Sequence, residues 1–148
     1  MLKRHIVLLT LLLPLLAPCA NDRTADVPPS AAGTFLQRKI LADVDVTLVS
    51  TGTFKFEKDR FFEWRTLKPM PSVFLATPTN YTISVNGRTS AHPLNVNVSS
   101  FAKIFEIKEV AEFVKDVHVS PDAGFPSRVD VRFKNGDRLE IEMTRNAQ

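Results

Sequence analysis

Cysteine is nearly missing from this chain: Cys19 is the only one in 148 residues. That excludes a disulfide framework, a CxxC redox or metal pair, and a cysteine nucleophile anywhere downstream. Histidine is scarce too, with His5, His92 and His118 far apart, no HExxH, and no carboxylate at metal-ligand spacing from His92 or His118. Incidental or structural roles for these two outweigh metal ligation. GxSxG, P-loop and GxGxxG patterns are all lacking, and each is the local signature of a particular chemistry. The expectation is a non-enzymatic protein with no cofactor and no metal. No internal repeat or low-complexity segment occurs. Long hydrophobic runs are lacking except one, Ile6–Leu16, itself interrupted by Thr10 and Pro14.

That run sits after a basic start, Lys3-Arg4, and before small residues at Ala17 and Ala20. The layout is a secretory signal over residues 1–20, too short for a comfortable membrane span, although a membrane anchor is the alternative. The segment Leu16-Ala17-Pro18-Cys19 resembles the lipobox of bacterial lipoproteins, in which the cysteine is acylated and becomes the mature N-terminus. Pro18 departs from the small residue favoured there. Two outcomes stay open: lipidation at Cys19, or cleavage after Ala20 that discards it. Removal of Lys3 and Arg4 leaves 17 basic residues against 16 acidic, a net charge of +1. So balanced a chain is not built for nucleic acid, even though Lys58, Arg60 and Arg65 lie near Trp64. About 125 mature residues support one apolar core and not two. Residues 21–33, polar, small and proline-containing, are expected to be a flexible tether, and residues 34–148 a single domain.

Within that domain, hydrophobicity alternates with period two, the mark of strands with one buried side. The alternation is clearest over Gly52–Pro71. Gly52, Phe54 and Phe56 fall on one face, and Phe62 and Trp64 on the matching face of the next run. Lys58-Asp59-Arg60 between them predicts a turn and an antiparallel pair, closed off by Pro69 and Pro71. Upstream, Thr34–Ala42 is a strand with Phe35, Gln37 and Lys39 on one face, and Leu48–Glu57 the next. Downstream, Val73–Ala76 is a short apolar run. Tyr81, Ile83 and Val85 alternate up to an Asn86-Gly87 turn, and Leu94, Val96 and Val98 alternate after it.

Over Ser100–Lys115 the period changes. Ile104, Ile107, Ala111 and Val114 recur at helical spacing, predicting one amphipathic helix. Val117–Ser120 is a further strand before a Pro121–Pro126 loop. Val129, Val131 and Phe133, then Leu139, Ile141 and Met143, flank Asn135-Gly136. A two-residue loop there would set apolar against polar residues. A three-residue loop with a glycine bulge keeps one face apolar and places Val131 opposite Leu139 or Ile141. The fold expected is mainly β with one helix: a curved antiparallel sheet forming an incomplete barrel capped by that helix.

The aromatic side of this sheet is the strongest functional signal. Ordinary core packing explains most such stripes. One short helix, however, has seven or eight strands to cover, and an unfilled apolar hollow would take acyl chains by burial alone, at roughly 25 cal/mol per Å². Phe35, Phe54, Phe56, Phe62 and Trp64, then Tyr81 and Ile83, are the expected lining.

The order and spacing of Phe35, Gln37, Gly52, Phe62, Trp64 and Pro69 resemble the N-terminal half of the periplasmic outer-membrane lipoprotein carrier LolA and its related receptor LolB. The match covers about Thr34–Val85. The resemblance implies an open, incomplete barrel whose cavity holds the acyl chains of lipoproteins or another lipid. It also implies a periplasmic monomer that meets envelope transport proteins, or an outer-membrane receptor anchored through Cys19. A sensor that binds another envelope protein is the third reading. In the carriers an arginine six residues before the tryptophan holds a lid closed. The matching position is Lys58, which keeps the charge without the planar fork of donors, with Arg60 nearby as a second lid contact.

Overall fold

The computed structural model describes residues 29–93, 112–122 and 125–147, and among these the regular structure is entirely β. The strands are β1 (Ser30–Leu41), β2 (Val46–Glu57), β3 (Phe61–Lys68), β4 (Ser72–Ala76) and β5 (Asn80–Val85), followed by β6 (Arg88–Pro93), β7 (Val114–Asp122), β8 (Phe125–Phe133) and β9 (Arg138–Arg145). They form one antiparallel sheet in the order β6-β5-β4-β3-β2-β1-β9-β8-β7. The two outer strands, β6 and β7, do not pair with each other, so the sheet stays open. The first strand lies inside it, with five strands on one side and three on the other. A meander runs from β1 through β2 to β6 on one side, and β9 returns from the other to pair with β1.

Register follows the hydrophobic pattern. Across β2 and β3, Phe54 faces Trp64 and Phe56 faces Phe62. The row continues from Trp64 to Phe74 on β4 and on to Ile83 on β5. In the C-terminal meander Val131 faces Leu139 and Val129 faces Ile141. The three-residue loop Lys134-Asn135-Gly136 is therefore formed as predicted, with Gly136 at φ +93° and its N–H donating to the Phe133 carbonyl. A two-residue loop joins Val85 to Arg88, with Asn86 and Gly87 both at positive φ. Those signs match the right-handed twist of the flanking strands. Pro69 follows directly on the last residue of β3.

Four features differ from the sequence reading. The first strand begins at Ser30, inside the expected tether, because Ala31 and Gly33 pair with Phe56 and Phe54, and a lone methyl and a bare Cα leave room for those rings. Glu112 and Phe113 form a turn, and Val114 and Lys115 already belong to β7. The C-terminal end of the expected helix is thus strand, where Val114 pairs with Phe133. The rest of that helix, residues 100–111, and the expected Leu94–Val98 strand lie outside the described residues. Pairing also runs further than the Pro121–Pro126 loop allowed: β7 continues to Asp122 and β8 starts at Phe125, with a register shift at Ser120/Pro121 that absorbs the prolines. Nine strands are described, against seven or eight expected.

Candidate functional site

Three regions of the sheet carry unusual side chains: an aromatic layer on the core face, a hollow at one end of the strands, and an apolar rim at the other.

The aromatic layer depends on two glycines. Gly52 lies opposite Phe35, and Gly33 lies opposite Phe54, across the same β1–β2 pair. A Cβ on Gly52 would collide with the Arg65 carbonyl oxygen and come within 2.7 Å of the Phe35 ring. One on Gly33 would strike the Thr144 carbonyl oxygen and come within 2.9 Å of the Phe54 ring. Each glycine is thus covered by the phenylalanine of the neighbouring strand, an arrangement that shields exposed backbone in sheets. Because Gly52 fills no space, the Phe35 ring crosses it and stacks on Trp64, two strands away, with centroids 3.6 Å apart and planes 14° from parallel. Phe54 and Phe62 lie at 6.4 and 6.1 Å from Trp64. Phe62 continues to Phe74 at 6.4 Å, Phe74 to Tyr81 at 5.8 Å, and Tyr81 to His92 at 4.9 Å.

All seven residues expected to line an acyl cavity lie on this one face. Phe35, Phe54, Phe56, Phe62, Trp64 and Ile83 are buried, and Tyr81 is half-buried. The rings of Phe35, Phe54, Phe62, Trp64 and Tyr81 belong to the contiguous ring series, and Phe56 and Ile83 lie in the same buried core cluster. Only Phe56 reaches the hollow described next. Phe74, at 1% exposure, belongs to the layer too. It went unnoticed in the sequence because Ser72–Ala76 is too short a run for alternation to mark its buried side.

The hollow has a volume of about 850 Å³ and sits where β1, β3 and β8 begin and β2 and β9 end. Ala31, Phe56 and Met143 reach it from the core face, and Ala32, Lys55 and Thr144 from the alternate positions that point the other way. Phe61, Glu57 and Arg145 complete its mouth. Sequence periodicity carries no signal for such a site, since it arises from where strands stop.

Of the two expected lid contacts, Arg60 donates to Glu57 at 2.6 Å on its own turn and is 72% exposed. Lys58 is exposed, and its backbone N–H donates to the Pro29 carbonyl. Cys19 lies outside the described residues.

At the opposite end, the β1–β2 ribbon runs past the end of β3, whose pairing stops at Thr51. Val44, Val46, Leu48 and Val49 are exposed there, with Leu67 and Met70 close to the β3–β4 link. Beside them on β1, Lys39 is buried on the core face, its Nζ 5.9 Å from the centre of the Phe133 ring. Burial pushes its pKa below 10.5, and the nearby Asp137 carboxylate opposes that shift. Asp137 is buried and accepts from the Ala42 N–H at 2.9 Å and from the Asn135 amide at 3.0 Å, tying the β8–β9 loop to the end of β1.

No group of three or more metal-ligating side chains occurs among the described residues. No family model matches the chain, and no curated protein is significantly similar to it.

Proposed function

We propose that this protein is an exported, non-enzymatic carrier that shelters lipid or lipoprotein acyl chains. In this reading the open sheet is the incomplete barrel of the lipoprotein carriers, curved and capped by a helix, with a periplasmic location set by the N-terminal signal. The observation that carries it is the amphipathic hollow of about 850 Å³ seated on the core through Phe56 and Met143. That volume falls within the roughly 300–1,000 Å³ of small-molecule sites. The ordered match of Phe35, Gln37, Gly52, Phe62, Trp64 and Pro69 to the carriers supports it. Native mass spectrometry of the protein purified from the periplasm is expected to show co-bound lipid. A clean apo spectrum, unshifted by added lipoprotein or fatty acid, overturns the reading.

A second reading rests on the exposed rim of Val44, Val46, Leu48 and Val49. Clustered exposed aliphatic side chains mark interaction surfaces, and a sensor or assembly partner would use this end to bind another envelope protein. Crosslinking in cells that is lost in Leu48→Asp favours it, and crosslinking that survives that change removes the rim from consideration.

A further inference from the structure

We propose that the hollow at the strand ends takes an amphipathic anion: a single alkyl chain laid along Ala31, Phe56, Phe61 and Met143, with its acidic head at Lys55. This deepens the lipid-binding reading above and rests on it. It differs in placing the ligand at the end of the sheet, clear of the stacked rings, and in specifying the charge of the head group.

The inference comes from how the two faces meet at this end. Alternate residues of a strand point to opposite sides, and the hollow takes residues of both kinds. Its inner wall is made of Phe56 and Met143, members of the buried core. Its outer wall carries Lys55, which is exposed. A ligand seated here meets hydrocarbon at one end and water with a cation at the other. The charges on the wall are unequal. Glu57, the one acidic side chain among the lining residues, is held by Arg60 at 2.6 Å. Lys55 lines the hollow and makes no ion pair with a carboxylate among the described residues. The excess is positive, at the place where a head group would sit. A fatty carboxylate and a lysophospholipid phosphate share the required chemistry.

The test titrates the exported protein at low salt with oleate, oleoyl lysophosphatidate and oleyl alcohol, which share a chain and differ in the head. Both anions are expected to bind more tightly than the alcohol. Lys55→Glu is expected to weaken both anions by about 25-fold, since it removes one close charge contact worth about five-fold in water and adds an equal repulsion, and to leave the alcohol unchanged. The ratio of the two anions then identifies the head. Arg88→Glu makes the same change in net charge at an exposed site on β6 and is expected to alter none of the three. Equal binding of alcohol and anions, or equal weakening by both variants, overturns the anion site while the lipid-binding reading stands. Failure of all three ligands to bind defeats both. Lys55→Gln, expected to lose about five-fold, provides the comparison if the charge reversal does not fold.

Discussion

Gly52 shows how much one residue without a side chain organises. Phe35 reaches Trp64 only by crossing it, and Phe54 crosses Gly33 in the same way. Gly52→Ala sets a methyl against the Arg65 carbonyl, a backbone atom that cannot swing aside. The expected loss is about 1–3 kcal/mol or more, as for other overpacked cores, read from the midpoint of urea unfolding. An unchanged midpoint would mean that Phe35 and Trp64 do not stack in solution. Lys39 supports a prediction with a definite sign. Burial lowers its pKa below the ordinary 10.5, so above the lowered value the unfolded chain binds more protons than the folded one. Stability therefore rises with pH through that window, and the burden of the buried charge is fully present below it. Lys39→Met is expected to be stabilised relative to the parent at neutral pH, with the advantage shrinking as pH approaches 10.5. A difference that stays constant with pH contradicts this. At this scale the sequence was informative about facing: alternation placed Phe35, Gln37 and Lys39 on one side, and that is where they are. It was silent on depth, so a packed ring and a cavity-lining ring looked alike.

Hairpins were the most legible elements, because turn chemistry and face matching constrain them jointly. At Asn135-Gly136 the turn residues alone would permit two loop lengths, and the apolar pairing of Val131 with Leu139 decides between them. Deleting Lys134 leaves a two-residue loop and moves β9 by one position, turning Leu139, Ile141 and Met143 away from the core. The expected result is loss of the cooperative thermal transition. A transition kept at the parent temperature would show that register is set elsewhere. The segment around Val114 was misread for an identifiable reason. Val114 and Ala111 fit a helical stripe, yet Val114 and Val117 also serve a strand once the register shift between Val114 and Asp116 is allowed. A bulge breaks strict alternation, and sequence patterns that assume period two cannot see it.

At the scale of the whole molecule, what matters most is that β6 and β7 each have an edge left open among the described residues. An unpaired strand invites another chain, and natural sheets blunt it with proline, charge and bulges. Among the described residues β6 carries Arg88 and Pro93, while β7 carries Lys115, Asp116, two register shifts and Pro121. These features suit the expected monomer, and light scattering at micromolar concentration is expected to return the mass of one chain, with a concentration-dependent dimer counting against it. The mature N-terminus is testable in the same preparation. Intact mass will show acylation at Cys19, abolished by Cys19→Ala, or cleavage beyond it. The antiparallel sheet was legible because nearly every described segment between turns alternates. The hollow was not, since its walls come from the ends of five strands spread from β1 to β9.

The central β1–β2 ribbon holds two unlike chemistries apart. Twelve residues of β1, at about 3.3 Å each, span roughly 40 Å, with a cationic recess at one tip and bare aliphatic side chains at the other. A visitor seated in the recess leaves the far tip free. In the carrier reading proposed above, a cargo in the recess would stay seated while the far tip meets a second surface, since an encounter at one pole need not evict what is held at the other.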